Sequence, residues 1–175
     1  GISGLTQSGI SGLTQSGINA NFGNNHNVSN TTGSFTNTGT LSIKSASSGL
    51  NVKAYNDLDL GQVQVAGTNV SASTPLTGTI MLKSQKGMVK LSKPLYFNGS
   101  NGATLKGQQV AVMSDLVDTK SSSQGTVTIN AGPSLKSKSK YAVRVAKGKT
   151  VSAYEVDVWG QQSSGYDHPN VILQG

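Results

Sequence analysis

From about residue 40 onward, the sequence is a succession of short apolar phrases separated by polar or glycine turns. The phrases are TLSIKS, GLNVKAY, LDLGQVQVAG, GTIMLKS, GMVKLS, PLYFNG, ATLKG and QVAVM. Strand-length phrases that recur about every eight to twelve residues are typical of all-β proteins. In VQVAG, Val63 and Val65 share one face and Gln62 and Gln64 share the other, so each strand buries only one side. The sequence therefore predicts an all-β fold, with strands that suit a shaft or a sandwich.

Two pairs of neighbouring phrases are predicted to form antiparallel hairpins with Lys-Gly turns, which are usable where a positive φ is needed. The first turn is at Lys86-Gly87 and sets Leu82 opposite Leu91. The second is at Lys147-Gly148. Each register places apolar residues on one face: Ile80, Leu82, Val89 and Leu91 in the first hairpin, and Val143, Val145, Val156 and Val158, with Tyr141 opposite Tyr154, in the second.

The N-terminal part contains the octapeptide GISGLTQS twice in succession. Its Ile and Leu positions fit neither a heptad nor a simple alternation, and each glycine disfavours a helix by about 1 kcal/mol. Short extended segments are therefore expected, with too little apolar surface in one chain to offset the cost of ordering them. Such repeats become stable when copies of the chain share a core. We expect the octapeptides to be rungs of an intertwined shaft; the alternative is a flexible linker.

Positive charge is unevenly distributed along the chain. The net charge is +7, and residues 120–149 contain seven basic residues and no acidic one. This block can attract phosphates, acidic glycans or a bacterial surface, or it can be a solvated loop face. Thirteen of the fourteen basic residues are Lys, whereas base recognition favours Arg, and aromatic residues are few. Nucleic acid is therefore not expected as a partner.

The absence of cysteine and of a long apolar run argues against some kinds of site and against insertion in a membrane. There is no cysteine, hence neither a disulfide framework nor a thiolate metal site. No run of about 18 apolar residues is present, and no membrane insertion is expected. The chain starts with Gly and has no obvious stop at its end, which is compatible with a segment of a longer protein.

Composition divides the chain into four segments. Residues 1–40 are expected to be a low-complexity repeat shaft and residues 41–118 a β-rich shaft segment. Within the second segment, Ser114 is predicted to cap a single helical turn. Residues 119–125, TKSSSQG, are predicted to be a linker. Residues 126–175 are predicted to form a small β-sandwich-like unit at a joint or near the distal tip.

The stretch KPLYFNGSNGATLKGQQVAVMSDL, residues 93–116, resembles a phrase of bacteriophage tail-fibre and tail-spike proteins. The polar repeats before it are similar to the shafts of those proteins, and the resemblance covers about residues 1–118. It implies a homotrimer of wound chains, other tail or baseplate proteins as partners, a place on the virion tail outside the cell, and distal domains that bind host-surface sugars or proteins. Stalks of trimeric bacterial adhesins are a second resemblance, but their heptads are absent here.

The candidate ligand-binding residues lie in the C-terminal segment. Glu155, Asp157 and Trp159 alternate onto one strand face, and Tyr166 lies in a loop of the same segment. Paired carboxylates beside an aromatic ring can bind a sugar, or cleave one if they are about 5–10 Å apart. The alternative is structural, because the predicted hairpin sets Lys140 opposite Glu155 and Lys138 opposite Asp157 as cross-strand ion pairs.

Signatures of catalysis are scarce. The sequence has no GxSxG, P-loop or HExxH motif, and we expect neither an enzyme nor a cofactor or metal site. His26 and His168 lie far apart; in a trimer either one could supply three ligands on the threefold axis, although a solvated loop residue is the simpler interpretation.

These observations predict an elongated, homotrimeric, all-β fibre or spike component that presents a unit binding a host-surface glycan or protein. Two alternatives come from other functional classes. One is a polysaccharide depolymerase that uses Glu155 and Asp157, and the other is a monomeric secreted binding module with a flexible N-terminal tail.

Overall fold

The computed structural model describes residues 5–11, 20–30, 32–43, 45–47, 49–98, 102–120, 124–132, 141–160 and 171–175; of 5–11, 20–27 and 30 only the backbone is described. Within these ranges the regular secondary structure consists of β-strands, in agreement with the all-β fold predicted from the sequence. The described residues therefore contain no helix that could cross a membrane. The strands are β1 (Leu5–Ser11), β2 (Ala20–Asn30), β3 (Phe35–Thr36), β4 (Thr40–Ile43), β5 (Leu50–Ala54), β6 (Leu58–Asp59), β7 (Gln62–Val65), β8 (Thr68–Asn69), β9 (Ile80–Ser84), β10 (Met88–Leu91), β11 (Leu95–Phe97), β12 (Ala103–Gly107), β13 (Gln109–Val112), β14 (Leu116–Asp118), β15 (Thr126–Ala131), β16 (Val143–Val145), β17 (Val151–Ser152), β18 (Glu155–Gly160) and β19 (Val171–Leu173).

The strands form three sheets, and from β9 onward the chain visits them in rotation. The long sheet has the order β18-β15-β12-β9-β5-β2-β4-β7-β8, with β1 paired to β2. The second sheet is β19-β16-β13-β10-β6-β3, and the short sheet is β11-β14-β17. From β9 onward, each pass through the long, second and short sheets is one rung of a coil. Each strand pairs in parallel with its equivalent in the next rung, for example β9 with β12 and β10 with β13.

The core lies inside the coil and consists of columns of apolar side chains. Because side chains alternate along a strand, every second residue points inward. In the long sheet Val52, Leu82, Leu105 and Ile129 are in register with one another, and all four are buried. The second sheet contributes a similar column, made of Leu58, Val89, Val110 and Val143. The coil therefore buries the one-sided strands that the alternation predicted.

Small residues occupy the corner where the long sheet turns into the second sheet. Ala54 is in register with Ser84, and Gly107 and Gly160 are both in register with Ala131. A Cβ atom on Gly107 would lie 2.9 Å from the carbonyl oxygen of Gln109, which is too close. A larger side chain would therefore push neighbouring turns apart at this corner.

The two predicted hairpins are wrong, although their inward-facing residues are largely right. Leu82 is in register with Leu105 rather than with Leu91, because β9 and β10 belong to different sheets. Likewise β16 pairs with β13 and β19 rather than with the strand that follows Tyr154. Gly148 has the expected positive φ of 74°, whereas Gly87 in the first predicted turn does not have a positive φ. Apolar residues before and after a turn point to the same side of the chain both in a hairpin and at a corner of a coil. The alternation of apolar and polar residues therefore does not distinguish the two.

The predicted helical turn after Ser114 is also wrong. Leu116–Asp118 forms strand β14, because Leu116 is buried beside Leu95 in the short sheet. The predicted linker does not interrupt the pairing, since β12 and β15 lie on either side of it and are in register over Ala103–Gly107. Strands β15 to β19 extend the three sheets instead of forming a separate sandwich.

The N-terminal repeats are described only in part. Strand β1 crosses the boundary between the two octapeptides and pairs antiparallel with β2. The remaining octapeptide residues lie outside the described ranges. From Phe35 to Val145, the described core is built by a single chain, and no second chain is needed to bury these apolar residues.

Candidate functional site

The outer face of the long sheet carries three lysines in one straight column. Lys53 is in register with Lys83, and Lys83 with Lys106, on the adjacent strands β5, β9 and β12. The same position is Asn130 on β15 and Trp159 on β18. We call Lys53, Lys83 and Lys106 the lysine column. Adjacent strands lie about 4.8 Å apart, so the column presents one positive charge per rung along the axis of the coil.

Packing of the core makes these lysines point outward. Each follows an inward-facing apolar residue, as Lys83 follows Leu82, and each precedes a buried corner residue, as Lys83 precedes Ser84. Lys53 and Lys106 are exposed, and Lys83, between them, is half-buried. The rigid interior therefore fixes the spacing of the lysine column.

Among the described residues, the nearest carboxylates on the outer face of the long sheet are Glu155 and Asp157 of β18, two strands away from Lys106. The outer positions of β5, β9, β12 and β15 carry Asn, Met, Thr and Lys side chains but no carboxylate. Like charges directly opposite on adjacent strands destabilise a sheet. Three aligned lysines without a counter-charge therefore form a surface that would gain from a bound anion.

The structure places three of the four candidate residues together. Glu155, Asp157 and Trp159 lie on the outer face of β18, in register with Thr126, Thr128 and Asn130 of β15. All three are exposed, and 53% of the Trp159 surface is accessible. Tyr166 lies outside the described residues, as do Lys138 and Lys140 of the predicted ion pairs.

The chemistry available on β18 suits sugar binding. Carboxylate oxygens such as those of Asp157 can accept hydrogen bonds from hydroxyl groups, and the exposed Trp159 ring offers an apolar face. Glu155 and Asp157 are both solvent-exposed.

A second distinctive surface lies at the β18 end of the coil. Strands β18 and β19 are the last strands of their sheets, and within the described residues no further rung covers this end of the coil. The side chains of Val156 and Leu173 are therefore 40% and 60% exposed. A cavity of about 300 Å³ lies there, lined among others by Ile129, Val145 and Val158. Exposed apolar surface of this kind is typical of protein contacts.

The described members of the basic block lie on different elements. Arg144 lies on the second sheet, with its guanidinium 6.0 Å from the centre of the Tyr141 ring. Lys147 and Lys149 belong to the turn before β17, and Lys120 follows β14. The part of the chain that the structure describes also contains no group of three His, Cys, Asp or Glu residues placed to hold a metal ion. The side chains of His26 and His168 lie outside it.

Sequence reasoning missed the lysine column. A recurring tripeptide could have revealed it. Its first residue is apolar, its second points outward and its third is small, and it occurs as VKA, LKS, LKG, INA and VWG. These tripeptides end at Ala54, Ser84, Gly107, Ala131 and Gly160, the corner residues of successive rungs. The spacing between them is irregular, because the loops between rungs differ in length, and no fixed period reveals the repeat.

The described strands form a coil that is parallel and three-sided from β9 onward, and its long sheet carries the lysine column, which ends at the exposed Trp159. No protein-family model, no curated protein and no solved structure matches the chain.

Proposed function

We propose that this chain is a structural segment of a bacteriophage tail fibre or tail spike that presents a surface binding a host-cell glycan. The observation that carries the proposal is the stack of rungs, in which each strand bonds to its equivalent in the next rung. Such a coil lengthens by one strand spacing per rung while its cross-section stays the same. This geometry suits a stiff, elongated element.

The stretch that resembles tail fibres supports the same proposal. The described residues of this stretch include β11, β12 and β13, which are regular strands of the coil. In a fibre, this segment would serve as one repeat of the shaft, next to other tail or baseplate proteins, on a virion tail outside the cell.

The outer face of the long sheet is the surface that we propose for glycan contact. Trp159, Asp157 and Glu155 lie there on a rigid strand, at the end of the lysine column. Because both carboxylates are exposed, we propose binding rather than cleavage. Turnover of a polysaccharide by the purified protein, lost in Glu155→Gln, would contradict this and favour a depolymerase.

A homotrimer is the proposed assembly. Since one chain builds the described core, contacts between chains would use other surfaces, and the exposed Tyr154, Val156 and Leu173 near the β18 end are the best candidates. Exposed apolar residues that lie close together favour protein–protein contact.

The first test is the solution mass of the purified chain by light scattering. A trimer has three times the chain mass of 18.0 kDa, or 54 kDa. A mass of 54 kDa that persists on dilution would support the fibre component. A stable 18.0 kDa monomer would contradict the trimer and favour a monomeric binding module.

Limited proteolysis completes this test. In a wound shaft, residues 1–40 should resist cleavage for as long as the rest of the chain. Rapid removal of this segment, with the remainder intact, would favour the binding module with a flexible tail.

A further inference from the structure

We infer that the lysine column is a binding site for a linear acidic polysaccharide that lies along the axis of the coil. Its acidic groups would contact Lys53, Lys83 and Lys106 in successive rungs, and a sugar ring would stack on Trp159. The inference rests on the proposed function for its setting at a cell surface, and it adds the chemical class of the ligand and the residues that hold it.

The direction of the ligand follows from the register. The three lysines, Asn130 and Trp159 lie on five consecutive strands, at the same position of each. With strands about 4.8 Å apart, the column from Lys53 to Trp159 spans roughly 19 Å. An extended polymer that crosses the strands at a right angle meets all five side chains, whereas a small ion meets only one or two.

The sign of the ligand follows from the uncompensated charge. The outer positions of the adjacent strands β5, β9, β12 and β15 carry no acidic residue, whereas β18 carries Glu155 and Asp157; the whole chain has a net charge of +7. A polyanion would relieve the repulsion between neighbouring lysines and release its own counterions. Anionic groups spaced about one strand apart would make the best match.

The spacing and the residue types of the column favour a polysaccharide over a nucleic acid as the ligand. In a B-form DNA duplex each strand carries one phosphate about every 3.4 Å along the helix axis, which is closer than the spacing of the column. Strand-binding proteins stack successive bases on several aromatic rings, whereas this column has one, Trp159. Asp157 and Glu155, on the same strand as Trp159, can accept hydrogen bonds from sugar hydroxyls but would repel any anionic group beside them, so the sugar at Trp159 would present hydroxyl groups to them and its acidic groups to the lysines.

The test compares two triple variants with the same net charge. The first is Lys53→Gln, Lys83→Gln and Lys106→Gln. The control is Lys90→Gln, Lys93→Gln and Lys147→Gln, which removes three exposed lysines that lie outside the long sheet. Binding to alginate, a linear polyuronate, is measured by titration calorimetry at low and at physiological salt, with neutral dextran and single-stranded DNA as comparison polymers.

We expect the wild-type chain to bind alginate, to ignore dextran and to bind DNA more weakly. The column variant should lose about tenfold or more in affinity, because each exposed charge contact contributes a fraction of a kcal/mol. The control variant should lose much less. Trp159→Ala should weaken binding while leaving its salt dependence unchanged, since the ring contributes no charge.

Three results would overturn the inference: no binding of alginate by the wild-type chain, equal losses in the two triple variants, or tighter binding of DNA than of alginate. The thermal unfolding midpoint of the column variant is measured as a control. Because the substitutions remove like-charge repulsion, we expect this midpoint to be at least that of the wild type, and a loss of alginate affinity is then not caused by unfolding. A trimer that fails to bind alginate overturns this inference alone. A monomer that binds alginate through the column overturns only the trimeric shaft.

Discussion

At the scale of single residues, Asn37 shows how the coil tolerates a buried polar group. Its side chain is only 4% exposed, and its Nδ2 donates hydrogen bonds to the carbonyl oxygens of Leu60 (3.0 Å) and Gln62 (3.3 Å). Its Oδ1 accepts a hydrogen bond from the backbone N–H of Gly39 at 2.9 Å. The amide thus ties its own turn to the turn of the next rung. Gly61, with a φ of 67°, packs against it where a Cβ would collide.

We expect Asn37→Ala to lower the free energy of unfolding by about 1–3 kcal/mol, because the substitution leaves buried backbone groups without their partners. Urea denaturation followed by circular dichroism measures this change. The control is Thr38→Ala, at an exposed neighbouring position, which should stay within about 0.5 kcal/mol of the wild type. Equal stabilities of the two variants would show that the side chain of Asn37 does not join the rungs.

At the scale of elements, the path from β9 to β10 distinguishes the coil from a hairpin. In the coil, Lys83 of β9 is next to Lys106 of β12, and Lys90 lies in a different sheet. In the hairpin expected from the sequence, Lys83 would be opposite Lys90. Both arrangements bury the same four apolar residues, so their burial does not separate the two.

Engineered cysteines separate them, and the chain has no cysteine of its own. Paired residues on adjacent strands are close enough for a disulfide, which needs Cα atoms about 4.4–6.8 Å apart. Lys83→Cys with Lys106→Cys should cross-link rapidly on mild oxidation, as followed by thiol titration and peptide mapping. Lys83→Cys with Lys90→Cys should remain reduced; cross-linking of this second pair instead would support the hairpin.

At the scale of the whole molecule, one core extends across the predicted linker. Ile129 lies after residues 119–125 and Leu105 before them, yet the two are in register and both are buried. In a stack of rungs, the stability of each rung depends on its neighbours. The division into shaft, linker and terminal unit stays a prediction about function, but the linker does not separate the cores.

Ile129→Ala should therefore destabilise β12 as well as β15. We expect a loss of about 2–5 kcal/mol for a fully buried position, seen by hydrogen-exchange mass spectrometry as faster exchange of the amides in Ala103–Gly107. Thr128→Ala, at the outward-facing neighbour on the same strand, is the control and should leave this exchange unchanged. Unaltered exchange in β12 after Ile129→Ala would indicate two independent units.

Local patterns in the sequence were sufficient for the all-β class, for most of the strand positions and for which side chains point inward. These properties depend on alternation within five or six residues, as in Ile80–Ser84. The same alternation correctly placed Glu155, Asp157 and Trp159 on one outer face. Their role in binding stays a prediction, because residue types on an exposed face do not specify a ligand.

Only the tertiary structure decided which strands are neighbours. Lys53, Lys83 and Lys106 are far apart in the sequence, and their alignment depends on loops of unequal length that close each rung in register. A coil and a hairpin bury the same side chains, so burial alone does not choose between them; in the coil the small residues Gly107 and Ala131 are in register at a corner, where the chain approaches itself closely. The strand pattern is a local property of the chain, whereas the lysine column arises only when the rungs stack.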